Sequence, residues 1–312
     1  MSIRYGRTYR LVVGPAGTTR GIEIKPPMRI TFEIDKDTEE EPNVHKIRIW
    51  NLSPETRAAI IKPDNFAVLY AGYDGEDGPL LMASGNVLDG WVYRDGPDIV
   101  TQLELRDGFV NVRDTVVSLG YGGGVEARRV IREIAAQMGL SLLMADDAPN
   151  RTWANGFSYY GAAHRALHKV TAGTGLEWSI QNGQLQVIAR RGVTPRSAFV
   201  LAADSGLTNY PERTREGARE KARVKDQKTG DNRNIVSEKQ QRDGWRVTSF
   251  LLPTVNPGDL IKMESISVQG WFRIEKLTHQ GDYGGPGDWQ TELHLVERDA
   301  APKKKNAKGV KN

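Results

Sequence analysis

The chain has 312 residues, with 43 basic and 39 acidic side chains and a net charge of +4, a balance that carries no nucleic-acid signature. It has no cysteine, which excludes disulfides, thiolate metal sites, iron–sulfur clusters and cysteine nucleophiles. With 38% hydrophobic and 26% charged residues, it reads as a folded globule of about two domains.

In chain order, residues 1–110 read as β-rich. Met1–Tyr5 lack the apolar stretch of a signal peptide, and no later run approaches the ~18 apolar residues of a membrane span. The expectation is a chain folded in a cytoplasm, not exported by the general pathway and not inserted in a membrane. From Met28 to Ile34, Ile30, Phe32 and Ile34 alternate with Thr31 and Glu33. From His45 to Ile49, Ile47 and Ile49 alternate with Lys46 and Arg48. A period of two marks strands with one buried face. An acidic loop, Asp35 to Glu41, separates them. Ser53-Pro54 offers an N-cap and a first helical residue, predicting a helix over 54–61. Strands are predicted at 66–73, 80–86, 87–93 and 100–106.

The period changes from Leu119. Gly122-Gly123-Gly124 precedes a predicted helix over 125–138, with Val130, Ile134 and Met138 on one stripe. A strand follows at 141–145, then a helix over 161–171. Asn182-Gly183 lies between alternating runs at 176–181 and 184–189, the strongest short-range hairpin signal, because both residues accept a positive φ. Residues 192–215 read as a connector, with a basic stretch from Arg213 to Lys225. Strands are predicted again at 246–251, 259–263, 270–279 and 289–296, with a turn at Asn256-Pro257-Gly258-Asp259 and a loop over 281–288. The lysine-rich end, 300–312, has nothing to bury and reads as a disordered basic tail. The fold class is therefore mainly β with an α+β insertion: a β-barrel module at 1–115, a small α+β domain at 116–192, a second β-barrel module at 193–299, then the tail.

Several patterns invite a chemical reading. Val116 to Gly124, a helix and a strand ending near Asp146-Asp147 mimic a dinucleotide-binding unit. Val125 sits where the third small residue belongs, and Glu126 puts negative charge where a pyrophosphate would dock; an entry loop is the ordinary reading. His164 and His168 share a helix face at metal-ligand spacing, but no third ligand lies nearby. His279 and His294, with Asp282 and Asp288, could be imagined as a hydrolytic or metal site beside a hairpin. Trp91, Trp245, Trp271 and Trp289 could stack bases on a barrel face, although core or interface packing is the commoner use of tryptophan. Lys303–Lys305, Lys308 and Lys311 could touch phosphate or simply be solvated. The rival functions left open are a nucleotide-binding enzyme using Gly120–Gly124 and a nucleic-acid-binding β-barrel protein.

Three stretches taken in order carry a family resemblance: Ile47-Arg48-Ile49-Trp50-Asn51-Leu52-Ser53-Pro54-Glu55-Thr56; the unit at 120–190; and the C-terminal run of Asn256–Asp259, Gly270–Ile274, His279–Asp282 and Asp288-Trp289. Together, over about 1–299, they resemble the baseplate (tail-tip) hub proteins of tailed bacteriophages and related injection machines. The resemblance implies a non-enzymatic virion protein with two tail-tube-like barrels, and no catalytic, cofactor or metal residues. It implies a homotrimer at the tail tip, assembled in the host cytoplasm. Its partners would be the tail-tube ring, a spike and other baseplate proteins, with DNA only as passing cargo in an axial channel. Three chains with two barrels each would match a six-fold tube to a three-fold spike. No lysozyme-like domain is appended, so peptidoglycan cleavage is not expected. Asp35–Glu41 and Arg213–Lys225 are candidate complementary contacts between subunits or rings.

Overall fold

The computed structural model describes residues 6–18, 20–75, 78–145, 148–216, 221–225, 232–236 and 242–297. The first β module comprises β1 (Arg7–Pro15), β2 (Ile22–Ile24), β3 (Ile30–Asp37), β4 (Val44–Trp50), α1 (Pro54–Ile60), β5 (Asn65–Tyr73), β6 (Pro79–Asp95), β7 (Asp98–Arg106) and α2 (Phe109–Asp114). Its inward faces bury Leu11, Ile30, Ile34, Ile47, Ile49, Leu69 and Leu103 in one core. The Ser53 hydroxyl accepts from the Thr56 N–H at 3.2 Å and starts α1 with Pro54 in its first turn, the role its sequence position predicts.

The α+β unit follows: β8 (Val116–Tyr121), β9 (Val125–Glu126), α3 (Ala127–Gln137), β10 (Ser141–Met144), β11 (Thr152–Trp153), β12 (Phe157–Ala162), α4 (Ala163–Thr171), β13 (Leu176–Gln181) and β14 (Gln184–Ala189). The apolar stripes of α3 and α4 close a second core with Phe157, Trp178 and Val187. Asn182 and Gly183, at φ 53° and 73°, form the tight turn that their sequence predicts.

The last module holds β15 (Phe199–Ala202), β16 (Glu212–Glu216), β17 (Lys221–Lys225), β18 (Asn232–Val236), β19 (Arg242–Phe250), β20 (Leu260–Glu264), β21 (Gln269–Tyr283) and β22 (Trp289–Glu297), around a core including Val247, Ile261, Leu277 and Leu293. The connector expected over 192–215 therefore contains β15, which pairs in parallel with β20, and most of β16. The basic tail expected over 300–312 lies outside the described residues.

The two β modules are not separate sheets. β21 pairs with β20 through its first half and with β3 through its second, from Lys276↔Asp37 to Tyr283↔Ile30. One hydrogen-bonded path thus runs β16-β19-β22-β21-β3-β4-β7-β6-β5-β1-β2. The seam is tight: a Cβ on Gly281 would lie 2.0 Å from the Phe32 ring directly across the ladder. Phe32 in turn meets Trp289 edge-on at 5.2 Å. This ladder also carries β3 past Ile34, so Asp35, Lys36 and Asp37 are strand residues and the acidic loop is shorter than its composition implies. Likewise, 80–86 and 87–93 are one bent strand, β6. Asn86 pairs with both Phe66 and Arg106, handing the strand from β5 to β7 without reversing the chain.

Candidate functional site

Where the three modules meet, the structure buries a set of polar and charged side chains. Lys36 follows Ile30, Phe32 and Ile34 on the inward face of β3 and is 1% exposed. Its ammonium donates to the Met82 carbonyl at 2.6 Å and to Asn256 Oδ1 at 2.9 Å. Asp107, just beyond β7, is fully buried and receives the backbone N–H groups of the β13–β14 turn, from Asn182 and, at 2.9 Å, from Gly183. Asn43 donates to the Ile180 carbonyl, and Gln181 donates to the Asp37 carbonyl at 2.7 Å. On the other side, Gln186 donates to the Pro257 carbonyl at 2.8 Å. Asp259 accepts from Thr194, Arg196 and the Asn256 N–H. The buried Arg273 is paired with Glu177 and Glu275. The hairpin of the α+β unit is thus held by both β modules at once.

Burial dominates the electrostatics. It brings the Lys36 amine down to about 8, against the pull of the Asp107 and Asp259 charges and with the push of Arg196. It raises the Asp107 carboxyl to about 6, opposed by the Gly183 and Asn182 N–H groups and by Lys36. Two histidines flank β3 opposite the same residue: His45 on β4 and His279 on β21 both pair with Ile34. Both are fully buried. Burial, then the Lys36 charge, lowers His45 to about 3; the Val44 and Asp35 backbones act weakly the other way. Neither His45 ring nitrogen forms a well-made hydrogen bond. His279 is lowered by burial, by Lys36 and by His45, and its Nδ1 lies 2.8 Å from Thr291 Oγ1. The Asp107 carboxylate and the Lys36 amine are therefore committed to contacts between modules, and both imidazoles lie buried away from solvent. The inward period of β3 and β4, read one step further, points to Lys36 and His45; nothing local in the sequence places Asp107 under a turn 75 residues away.

The motifs singled out in the sequence resolve differently. β8 pairs antiparallel with β12, and β10 pairs in parallel with β14, so Gly120–Gly124 does not open a dinucleotide-binding βαβ unit. A Cβ on Gly123 would sit 2.3 Å from the Ala154 carbonyl oxygen: this glycine serves close packing of two loops. At the start of α3 the Ala127 and Arg128 N–H groups are already taken, by the Arg151 carbonyl and by Asn150 Oδ1. His164 lies 3.3 Å from the Val112 carbonyl, while His168 pairs with Glu40 at 3.1 Å, tying α4 to the first module. His279 is internal, and His294 is bonded to Glu292 at 3.0 Å. Asp282 is held by the Gly287 N–H and Arg29. No group of three potential metal ligands occurs among the described residues. Trp289 is buried, whereas Trp91 and Trp271 are exposed on different modules, so the four tryptophans make no common stacking face. Of the acidic stretch, Asp35 accepts from Thr278 and Asp37 from the Glu39 N–H. Arg213 and Arg215 lie on β16; Arg219 lies outside the described residues.

No protein-family model and no curated protein matches the sequence. Solved structures do. The 43 kDa tail protein of prophage MuSo2 from Shewanella oneidensis is similar over 93% of this chain and 97% of its own, at TM-score 0.61 and 13% identity. The tail protein from Neisseria meningitidis MC58 is similar over 94% and 97%, at TM-score 0.59 and 14% identity. An E. coli component of the type VI secretion system, described as structurally similar to the T4 tail proteins gp27 and gp5, is similar over 92% and 77%, at TM-score 0.56 and 9% identity. The fold is that of these tail proteins. Within this fold, the buried junction sets the angle between the two β modules: the β3–β21 ladder joins them edge to edge, and the α+β hairpin braces both.

Proposed function

We propose that the chain is a non-enzymatic tail-tip hub, a homotrimer that joins a six-fold tail tube to a three-fold spike around an axial channel. The observation that carries this reading is the continuous ladder through β3 and β21. It fixes two β modules in one chain at one angle, so three chains present six modules with defined orientation. A closed cyclic assembly needs such a fixed angle, because a hinge between modules would leave the ring open to other closures. The similarity to tail proteins along almost their whole length supports the reading. In it the modules run over 1–115, 116–192 and 193–299, with a basic tail at 300–312. The chain is assembled in the host cytoplasm and carried in the virion, against a tube ring, a spike and other baseplate proteins. Negative-stain electron microscopy with mass measurement on the purified protein tests this. Three-fold particles of three chains with six peripheral modules are expected; a monomer at all concentrations and in assembled tails refutes it. Charge reversal at Arg213, Arg215 and Arg219 tests the basic stretch separately: unchanged trimer formation and tube docking removes it from the interface.

A further inference from the structure

The joint between the β modules carries a set of buried bases. Among the described residues, the main sheet passes from the first module to the last through the β3–β21 ladder. His45, Ile34 and His279 stand directly opposite one another on β4, β3 and β21. Both imidazoles therefore share the inward face of Ile34, with their backbones about 10 Å apart. Lys36 lies on that same face, two residues further along β3. All three bases are buried, at 1% exposure or less. Lys36 is matched: the Met82 carbonyl and Asn256 Oδ1 accept from its ammonium, and the Asp107 and Asp259 charges favour it, with Arg196 opposing them. The imidazoles have no such match. On the flanking strands Leu105 of β7 lies beside His45 and Thr291 of β22 beside His279, and neither carries a charge. Both His45 nitrogens and His279 Nε2 lack a well-made hydrogen bond, and His279 Nδ1 meets Thr291 Oγ1 at 2.8 Å. The charges that act on the two rings are cationic: Lys36 on both, and His45 on His279.

The α+β unit contrasts with this joint. Its buried polar residues are Thr171, Ser179, Gln181 and Gln186, none of which titrates, and α3 and α4 close a core of their own. We infer that acid opens the joint between the two β modules at the β3–β21 ladder while the α+β core stays folded, a pH-operated release of the fixed angle between the modules. Proton uptake turns two neutral rings into cations beside Lys36, where the closed joint offers them neither water nor a counter-ion; opening hydrates all three. The rings bind protons more weakly in the closed joint than in the open one, so acidification favours the open form. Asp107 takes up its proton more readily in the closed form and moderates the effect, one carboxyl against two rings. The inference rests on the fold and its burial, and it stands apart from the hub reading: it holds for a single chain as for an assembly.

Hydrogen exchange of the full, unaltered chain tests this, with protection factors at pH 7 and pH 5 each corrected for the intrinsic exchange rate. Amides within 31–37 and 276–283 should lose at least ten-fold in protection at pH 5, and those of α3 and α4 less than three-fold. Equal ladder protection at the two pH values, an equal loss across α3 and α4, or a loss confined to strands away from Ile34 overturns the inference. With His45→Leu the same ladder amides should lose at least three-fold less than in the parent, and a loss as large as the parent's overturns the role of the imidazole. Proton NMR of the histidine C2–H signals keeps the test independent of that variant. Two of the five histidines should stay neutral through the ordinary titration near pH 6.5 and take up protons only where ladder protection falls. Titration of all five near pH 6.5 overturns the inference.

Discussion

Replacing His45 with leucine tests the buried seam most directly. Its imidazole is fully buried, has no well-made hydrogen bond, and is held at about 3 rather than 6.5. A group with a lowered folded-state pKa of this kind binds fewer protons folded than unfolded between those two values. Stability is therefore complete above pH 6.5 and falls as the solution is acidified through that window. At about 1.4 kcal/mol per pH unit, the loss at pH 5 relative to pH 7 is about 2 kcal/mol from His45 alone, rising to about 5 kcal/mol below pH 3. His279 adds loss in the same direction. Asp107, raised to about 6, acts oppositely: it takes up its proton more readily in the folded state and offsets about 1 kcal/mol at pH 5. His45→Leu keeps similar volume, removes two buried, poorly bonded nitrogens and cancels the His45 share. The variant should equal or exceed the parent in stability at pH 7 by up to about 2 kcal/mol. It should also lose about 2 kcal/mol less than the parent between pH 7 and pH 5. Urea denaturation at both values, followed by tryptophan fluorescence with calorimetry alongside, measures both quantities. An unchanged pH slope, or destabilisation beyond about 1 kcal/mol at pH 7, refutes the reasoning.

Lys36→Met should remove a rise in stability at alkaline pH. With its amine lowered to about 8 from 10.5, the folded chain binds fewer protons than the unfolded one across that window. The parent should thus gain up to about 3 kcal/mol as pH climbs through it, and a variant with the same gain excludes Lys36 as the source. Asp107→Ala leaves two turn N–H groups without their acceptor and should cost about 2–5 kcal/mol. Amide exchange at Asn182 and Gly183 should accelerate well before the rest of the chain, and unchanged protection there rejects this role for the carboxylate. Gly281→Val drives a side chain into the Phe32 ring across the seam and should cost about 1–3 kcal/mol or more, read as a lower thermal midpoint. A midpoint equal to the parent's contradicts the close approach.

The local elements were legible because their determinants are local. Ser53-Pro54 starts α1, the Val130/Ile134 stripe makes α3 amphipathic, and Asn182-Gly183 turns the β13–β14 hairpin, each through backbone preference or one-face burial acting over a few residues. Period-two alternation likewise located β3 and β4, and the predicted strands as a whole showed two β-rich regions around an α+β unit. Where alternation stopped at Ile34 the strand did not: β21 supplied hydrogen-bond partners through Asp37, and the expected acidic loop became part of the seam.

Composition and periodicity by themselves determined the class of each stretch, the absence of cysteine chemistry and the order of the modules. Which strand lies beside β3, which carboxylate caps the hairpin turn, and which partners hold the buried Lys36 were decided only in three dimensions. Those outcomes depend on partners from 46 residues away, at Met82, to 220 and beyond, at Asn256 and along β21, and the burial of an ion or the pairing of an edge is an energy of the assembled neighbourhood, absent from any short window of sequence.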